Sequence, residues 1–119
     1  MKILLTCPPM INQIEKLKLE IDKYGFDIHI PEFTAVMSED ELCKIIDNYD
    51  GWIIGDDLCS EKVIETGKKG KLKALVKWGV GVDNVDFGAC KKHNIPVTNT
   101  PAMFGEEVSD IAINYLLTL

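Results

Sequence analysis

Five short apolar runs recur along the chain, each separated from the next by an amphipathic or capped stretch, and that alternation restricts the fold more than any single residue does. Residues 2–6 (KILLT) form a run long enough for a buried strand, stopped by Pro8-Pro9. Met10, Ile14, Leu17 and Ile21 then recur at three- and four-residue steps with charged residues between them, which is the period of one helix. Gly25 follows where a helix C-terminus favours a positive φ. Residues 26–30 alternate apolar and polar, as a strand does. Ser38 with Glu41 three residues on reads as a capping box, with Leu42, Ile45 and Ile46 as the apolar face behind it. Asp50-Gly51 turns into a third strand, Trp52-Ile53-Ile54. Ser60 caps a helix through Ile64 that Gly67 is expected to end. A fourth strand covers residues 75–78, a short helix runs from Phe87 to Lys92, and residues 95–98 make a fifth strand. Val108, Ile111, Ala112, Tyr115, Leu116 and Leu119 then mark a last helix.

Strand and helix in repeated alternation imply right-handed βαβ units, and so a parallel sheet with helices on its faces. The expected fold class is α/β, a doubly wound parallel five-stranded sheet. At 119 residues the chain is one domain or one piece of a larger protein. Composition enters mainly as exclusion. Thirteen Lys+Arg against nineteen Asp+Glu leave a net charge of −6, which argues against nucleic acid or an anionic membrane as partner. All thirteen cations are lysine, so no bidentate guanidinium clamp can come from these residues. The cluster Lys68, Lys69, Lys71 and Lys73 has no interleaved aromatics and reads as a solvated turn. No apolar run approaches the ~18 residues of a transmembrane helix. Cys7, Cys43, Cys59 and Cys90 lie 36, 16 and 31 residues apart without a CxxC pair. They read as reduced thiols in a cytoplasmic protein, and no metal site is expected.

Chemistry concentrates after the fourth strand, in residues 79–86 (GVGVDNVD). A dinucleotide fingerprint would need Gly or Ala where Asn84 stands, and an acidic residue about twenty positions on, where Asn99-Thr100-Pro101 occurs instead. The two glycines at the carboxyl end of a parallel strand do allow backbone N–H groups to approach a small carboxylate. The alternative reading is a tight strand-to-helix turn and nothing more.

Residues 77–86 (KWGVGVDNVD), 94–101 (NIPVTNTP) and 107–110 (EVSD), with residues 50–57 (DGWIIGDD) at the third strand, resemble the D-isomer-specific 2-hydroxyacid dehydrogenase family, in particular its phosphoglycerate dehydrogenase-like members. The resemblance covers essentially the whole chain. It implies a flavodoxin-like substrate-binding domain over residues 1–100, and over 101–119 the start of a helix crossing towards an NAD-binding domain. It further implies that Val80 and Gly81 present amides to the carboxylate of a 2-hydroxy or 2-keto acid, that Gly79 shapes the turn, and that Lys77 lies near the substrate's charge. Lys77 can equally be read as a strand-end lysine in solvent. Asn99 and Pro101 match the hinge between domains, and Val108 a helix position on the nicotinamide side. The implied intact enzyme is a homodimer.

The match has departures. The family's catalytic arginine, its acidic partner and its acid/base histidine have no counterpart here, and neither has the glycine-rich NAD loop. No catalytic residue is therefore assigned, and no turnover is expected of this chain alone. His29 and His93 read as structural or exposed. Gly55-Asp56-Asp57 stands where some members carry arginine, which counts against a phosphorylated substrate, and Phe104 replaces a commonly polar residue near the cofactor. The apolar last helix reads as part of a longer chain. Two rivals remain: a stand-alone module binding a small carboxylate, and a receiver-type signalling domain, which would need an acidic cluster where Thr6-Cys7-Pro8 ends the first strand.

Overall fold

A computed structural model describes residues 1–101 and 105–118; for 105–108 it describes the backbone alone. The elements in order are β1 (Lys2–Leu5), α1 (Pro8–Ile11), α2 (Ile14–Lys23), β2 (Asp27–His29), α3 (Glu39–Cys43), a 3-10 turn (Ile46–Asn48), β3 (Gly51–Ile54), α4 (Glu61–Lys69), β4 (Ala74–Lys77), α5 (Phe87–Lys92), β5 (Val97–Asn99) and α6 (Gly105–Thr118). The strands form one five-stranded sheet in the order β2-β1-β3-β4-β5, with every pair parallel. That is the flavodoxin-like order of a doubly wound sheet, as expected.

The side-chain period of a strand explains the two faces. Leu4, Trp52, Ile54 and Leu75 project into a core shared with Leu42, Val63, Ile64, Ala89 and Cys90 from α3, α4 and α5. The adjacent residues Leu5 and Ile53 point the other way and meet Met10, Ile11, Ile14 and Leu17 of α1 and α2. Strand β1 is covered on both faces, so Ile3, Leu4 and Leu5 are all buried and the run shows no alternation. Each such side chain contributes roughly 1.5–3 kcal/mol on burial.

Several local expectations shift. The helix expected from Met10 to Ile21 is two helices, because Pro8-Pro9 start one rather than only stopping β1; proline is well placed in a first turn, where no intrahelical N–H bond is lost. Gly67 does not end α4. The helix continues to Lys69, and a Cβ on Gly67 would come 2.5 Å from Leu72 Cδ2, so this glycine is a contact point for the segment leading into β4. Strand β5 begins two residues later than expected. Pro96 has no N–H for the ladder, although its carbonyl still accepts from Leu75 N–H at 2.9 Å. Gly25 has the expected positive φ of +66°, and the Ser38–Glu41 capping box forms.

Candidate functional site

Because all strands run in parallel, the segments after β1, β3, β4 and β5 gather at one edge of the sheet. Ligands of doubly wound sheets usually bind where the connections diverge to opposite faces, here between β1 and β3. That crevice is filled. A Cβ on Gly55 would lie 2.7 Å from Thr6 O and 2.9 Å from Cys7 Cα, so the two chains touch there. Below the contact, Trp52 Nε1–H donates to Thr6 Oγ1 at 2.8 Å, the Thr6 hydroxyl donates to Asp57 Oδ2, and Met37 N–H donates to Asp57 Oδ1 at 2.6 Å. Asp57 and Thr6 are both wholly buried. Their polar atoms are consumed inside the protein, so this corner is structural.

The open space lies one step along, over the end of β4. A cleft of about 380 Å³ is lined by Asp56, Lys77, Trp78, Gly79, Gly81 and Asn84, among others. Its floor is the loop that follows β4. Gly79 has φ +134°, a conformation that side-chain-bearing residues rarely adopt, so the backbone requires glycine there. Its own N–H donates to Thr100 Oγ1 at 2.9 Å and its carbonyl accepts from Thr100 N–H at 3.1 Å. Asn99 Nδ2 donates to Val80 O at 3.1 Å. The loop is thus held from behind by the residues that leave β5. The amides of Val80 and Gly81 meet no acceptor among the described residues. Gly81 differs from Gly79: its φ is not positive, and a Cβ there would meet nothing within 4 Å. The fold by itself does not ask for glycine at 81. The reading of both glycines as a mere turn therefore accounts for Gly79 only.

Lys77 is not a strand-end lysine in solvent. It is 4% exposed, with Nζ donating to Gly55 O and lying 3.3 Å from Asp56 Oδ1. Asn84 fastens the same segment, its Nδ2 donating to Gly55 O at 3.1 Å and to Asp57 O at 2.7 Å. Asn84 thereby sets the distance between the β3 and β4 loops. Sequence reasoning saw Asn84 only as a failed fingerprint position, and saw Asp57 only as half of an acidic pair; these contacts span 27 and 29 residues and leave no local pattern.

The loop does not suit a dinucleotide pyrophosphate. Asp86 caps α5, its carboxylate accepting from Ala89 N–H at 2.8 Å, so an anion already occupies that helix N-terminus. Of the other candidates, Asn99 ends β5 and Pro101 is exposed just beyond it. The side chain of Val108 and the whole of Phe104 lie outside the described residues. His29 bonds Tyr49 through Nδ1, and His93 ends α5 beside Glu61, so neither histidine reaches the cleft. All four cysteines are free, with Cys7, Cys59 and Cys90 buried; burial pushes each of these three thiols up from its ordinary value. No described helix is long and apolar enough to cross a membrane.

A five-stranded parallel sheet with a glycine-bearing loop over β4 defines a doubly wound α/β domain, and comparison with known proteins narrows the class. The family model of the D-isomer specific 2-hydroxyacid dehydrogenase catalytic domain matches residues 3–114, and the chain belongs to that family. An aromatic 2-oxoacid reductase of Clostridium sporogenes is 33% identical over 120 aligned residues, which are 100% of this chain and 35% of the relative. A hydroxypyruvate reductase of Thermotoga maritima is 33% identical over 82 residues, covering 68% of this chain and 26% of that protein. Among solved structures, NAD+-bound 3-phosphoglycerate dehydrogenase of Entamoeba histolytica superposes with a TM-score of 0.78 at 28% identity, over 96% of this chain and 37% of that one. The chain thus spans about a third of the length of the Clostridium and Entamoeba proteins.

Proposed function

We propose that residues 1–100 are the substrate-binding domain of an oxidoreductase that transfers a hydride between NAD(H) and a 2-hydroxy or 2-keto acid, and that residues 101–119 begin the helix crossing to the domain that holds NAD. The observation that carries this reading is the contrast at the loop over β4. Gly79 is required by its backbone, whereas Gly81 has no Cβ obstacle and its amide, like that of Val80, is unengaged among the described residues. Two consecutive unengaged amides, with Gly81 lining the cleft, are suited to the two oxygens of a carboxylate. Lys77 adds a positive field from beneath, and its bond to Gly55 O keeps the ammonium in place. The family to which the chain belongs, and the names its relatives carry, agree with an oxo or hydroxy acid as the ligand.

The role of these residues is binding and orientation. They hold the carboxylate, so that the adjacent oxo or hydroxyl carbon faces outward from the cleft. We assign the group that moves the proton and the site for NAD to other residues, because neither histidine reaches the cleft and Asp86 fills the N-terminus of α5 beside the loop. This chain alone is accordingly inactive. Asn99 and Pro101 serve as the hinge. The paired bonds between Thr100 and Gly79 pass hinge movement directly to the carboxylate-binding loop. The exposed apolar residues of α6, Ile111, Tyr115, Leu116 and Leu117, suit a helix that packs against a second domain. The intact enzyme is taken as a cytoplasmic homodimer.

The test is oxidation of NADH by the intact protein with a panel of 2-oxo acids. Reduction of at least one supports the reading. Carboxylate binding without reduction favours a stand-alone binding module instead, and neither activity rejects both.

A further inference from the structure

We infer that Asp56 selects against substrates carrying a second negative charge, so that the enzyme takes monoanionic 2-oxo acids with an uncharged side chain. This rests on the proposed function and adds the substrate class. Among the described residues, the charges lining the cleft are one buried cation, Lys77, and two carboxylates, Asp56 and Asp83. The Asp56 side chain is 89% exposed while its Oδ1 lies 3.3 Å from Lys77 Nζ. The lysine is thus already shared between Gly55 O and Asp56, and both contacts fix it below the cleft. One substrate carboxylate can be met by the two loop amides together with the field of Lys77. A second anionic group finds no unshared cation among the described residues lining the cleft and faces the exposed carboxylate of Asp56. Trp78 lines the same cleft and is 36% exposed, which supplies an apolar surface for an uncharged side chain. Asp57, adjacent in sequence, takes no part because its carboxylate is buried and bonded to Thr6 and Met37. The acidic pair therefore divides its work: Asp57 holds the corner and Asp56 sets the sign of the cleft.

The experiment measures kcat/KM in the intact enzyme for 4-methyl-2-oxopentanoate, a monoanion, and for 2-oxoglutarate and 3-phosphohydroxypyruvate, which carry further charge. Wild type is expected to prefer the monoanion. Asp56→Asn is expected to raise the ratio of multiply charged to singly charged substrate roughly tenfold, mostly through KM, and the shift should shrink in 0.5 M salt. Asp56→Glu should keep the wild-type ratio. A wild-type preference for the multiply charged substrates, or an Asp56→Asn variant with an unaltered ratio, overturns the inference while leaving the dehydrogenase reading intact. Failure to reduce any 2-oxo acid overturns the dehydrogenase reading and the inference with it.

Discussion

Asn84 and Asp57 are joined across 27 residues by a 2.7 Å hydrogen bond from the Asn84 side-chain amide to the Asp57 main-chain carbonyl. The second proton of the same amide reaches Gly55 O, so one side chain fastens the loop after β3 to the loop after β4. Asn84→Ala removes both bonds: the Asp57 carbonyl loses its partner, while Gly55 O keeps the Lys77 ammonium. A loss of about 1–2 kcal/mol in unfolding free energy is expected. Because the clamp also positions Lys77 and the amide loop, KM for the oxo acid should rise about tenfold in steady-state kinetics of the intact enzyme.

The two loop glycines should separate by their effect on stability. Gly79→Ala forces a side chain onto φ +134° and is expected to cost about 1–3 kcal/mol, read as a lower thermal midpoint. Gly81→Ala meets open space at an ordinary φ and should stay within about 0.5 kcal/mol of wild type. Equal destabilisation by the two substitutions would mean that both glycines serve the turn alone.

The filled corner between β1 and β3 depends on a buried carboxylate. Asp57→Ala leaves the Thr6 hydroxyl and the Met37 N–H without their acceptor in a site closed to water. A loss of about 2–4 kcal/mol in denaturant unfolding is expected. Thr6→Val should cost less, since Trp52 Nε1–H and Asp57 each lose one partner while Asp57 keeps Met37.

Acid should loosen the fold through its surface ion pairs. The Lys73 ammonium at 2.8 Å and the Lys2 N–H at 2.9 Å hold the Asp50 carboxyl below its ordinary value. The Lys92 ammonium does the same to Glu61, and the Ser60 hydroxyl, then Lys62, to Glu39. A carboxyl depressed in the folded state contributes stability that is complete above its unfolded value, near pH 4, and is lost as pH falls through its folded value. The thermal midpoint is therefore expected to decline from about pH 5 towards pH 3, less steeply in high salt. Asp50→Asn should flatten part of that decline in a pH series of melting curves.

Most of the fold is legible in local pattern. The both-sided burial of β1 shows as the unbroken run KILL, and the capping residues Ser38 and Ser60 each announce a helix start. Boundaries went astray where tertiary contact outweighed local habit, as when Gly67 served Leu72 rather than a helix end. The site was half legible. Gly79 and Gly81 stand out as glycines, but only geometry separates the one required by its φ from the one facing open space. The burial of Lys77 and the clamp by Asn84 depend on Gly55, more than twenty residues away in both cases, and no periodicity records such a bond.

The central claim is that the amides of Val80 and Gly81 hold the substrate's carboxylate. The direct measurement is kcat/KM of the intact enzyme for a 2-oxo acid and for its uncharged methyl ester, in wild type and in Gly81→Ala. Wild type is expected to favour the acid about a hundredfold or more, and Gly81→Ala, still folded but with a Cβ in the open space the carboxylate would take, to lose most of that preference. An ester turned over as well as the acid, or a preference untouched by Gly81→Ala, would contradict it.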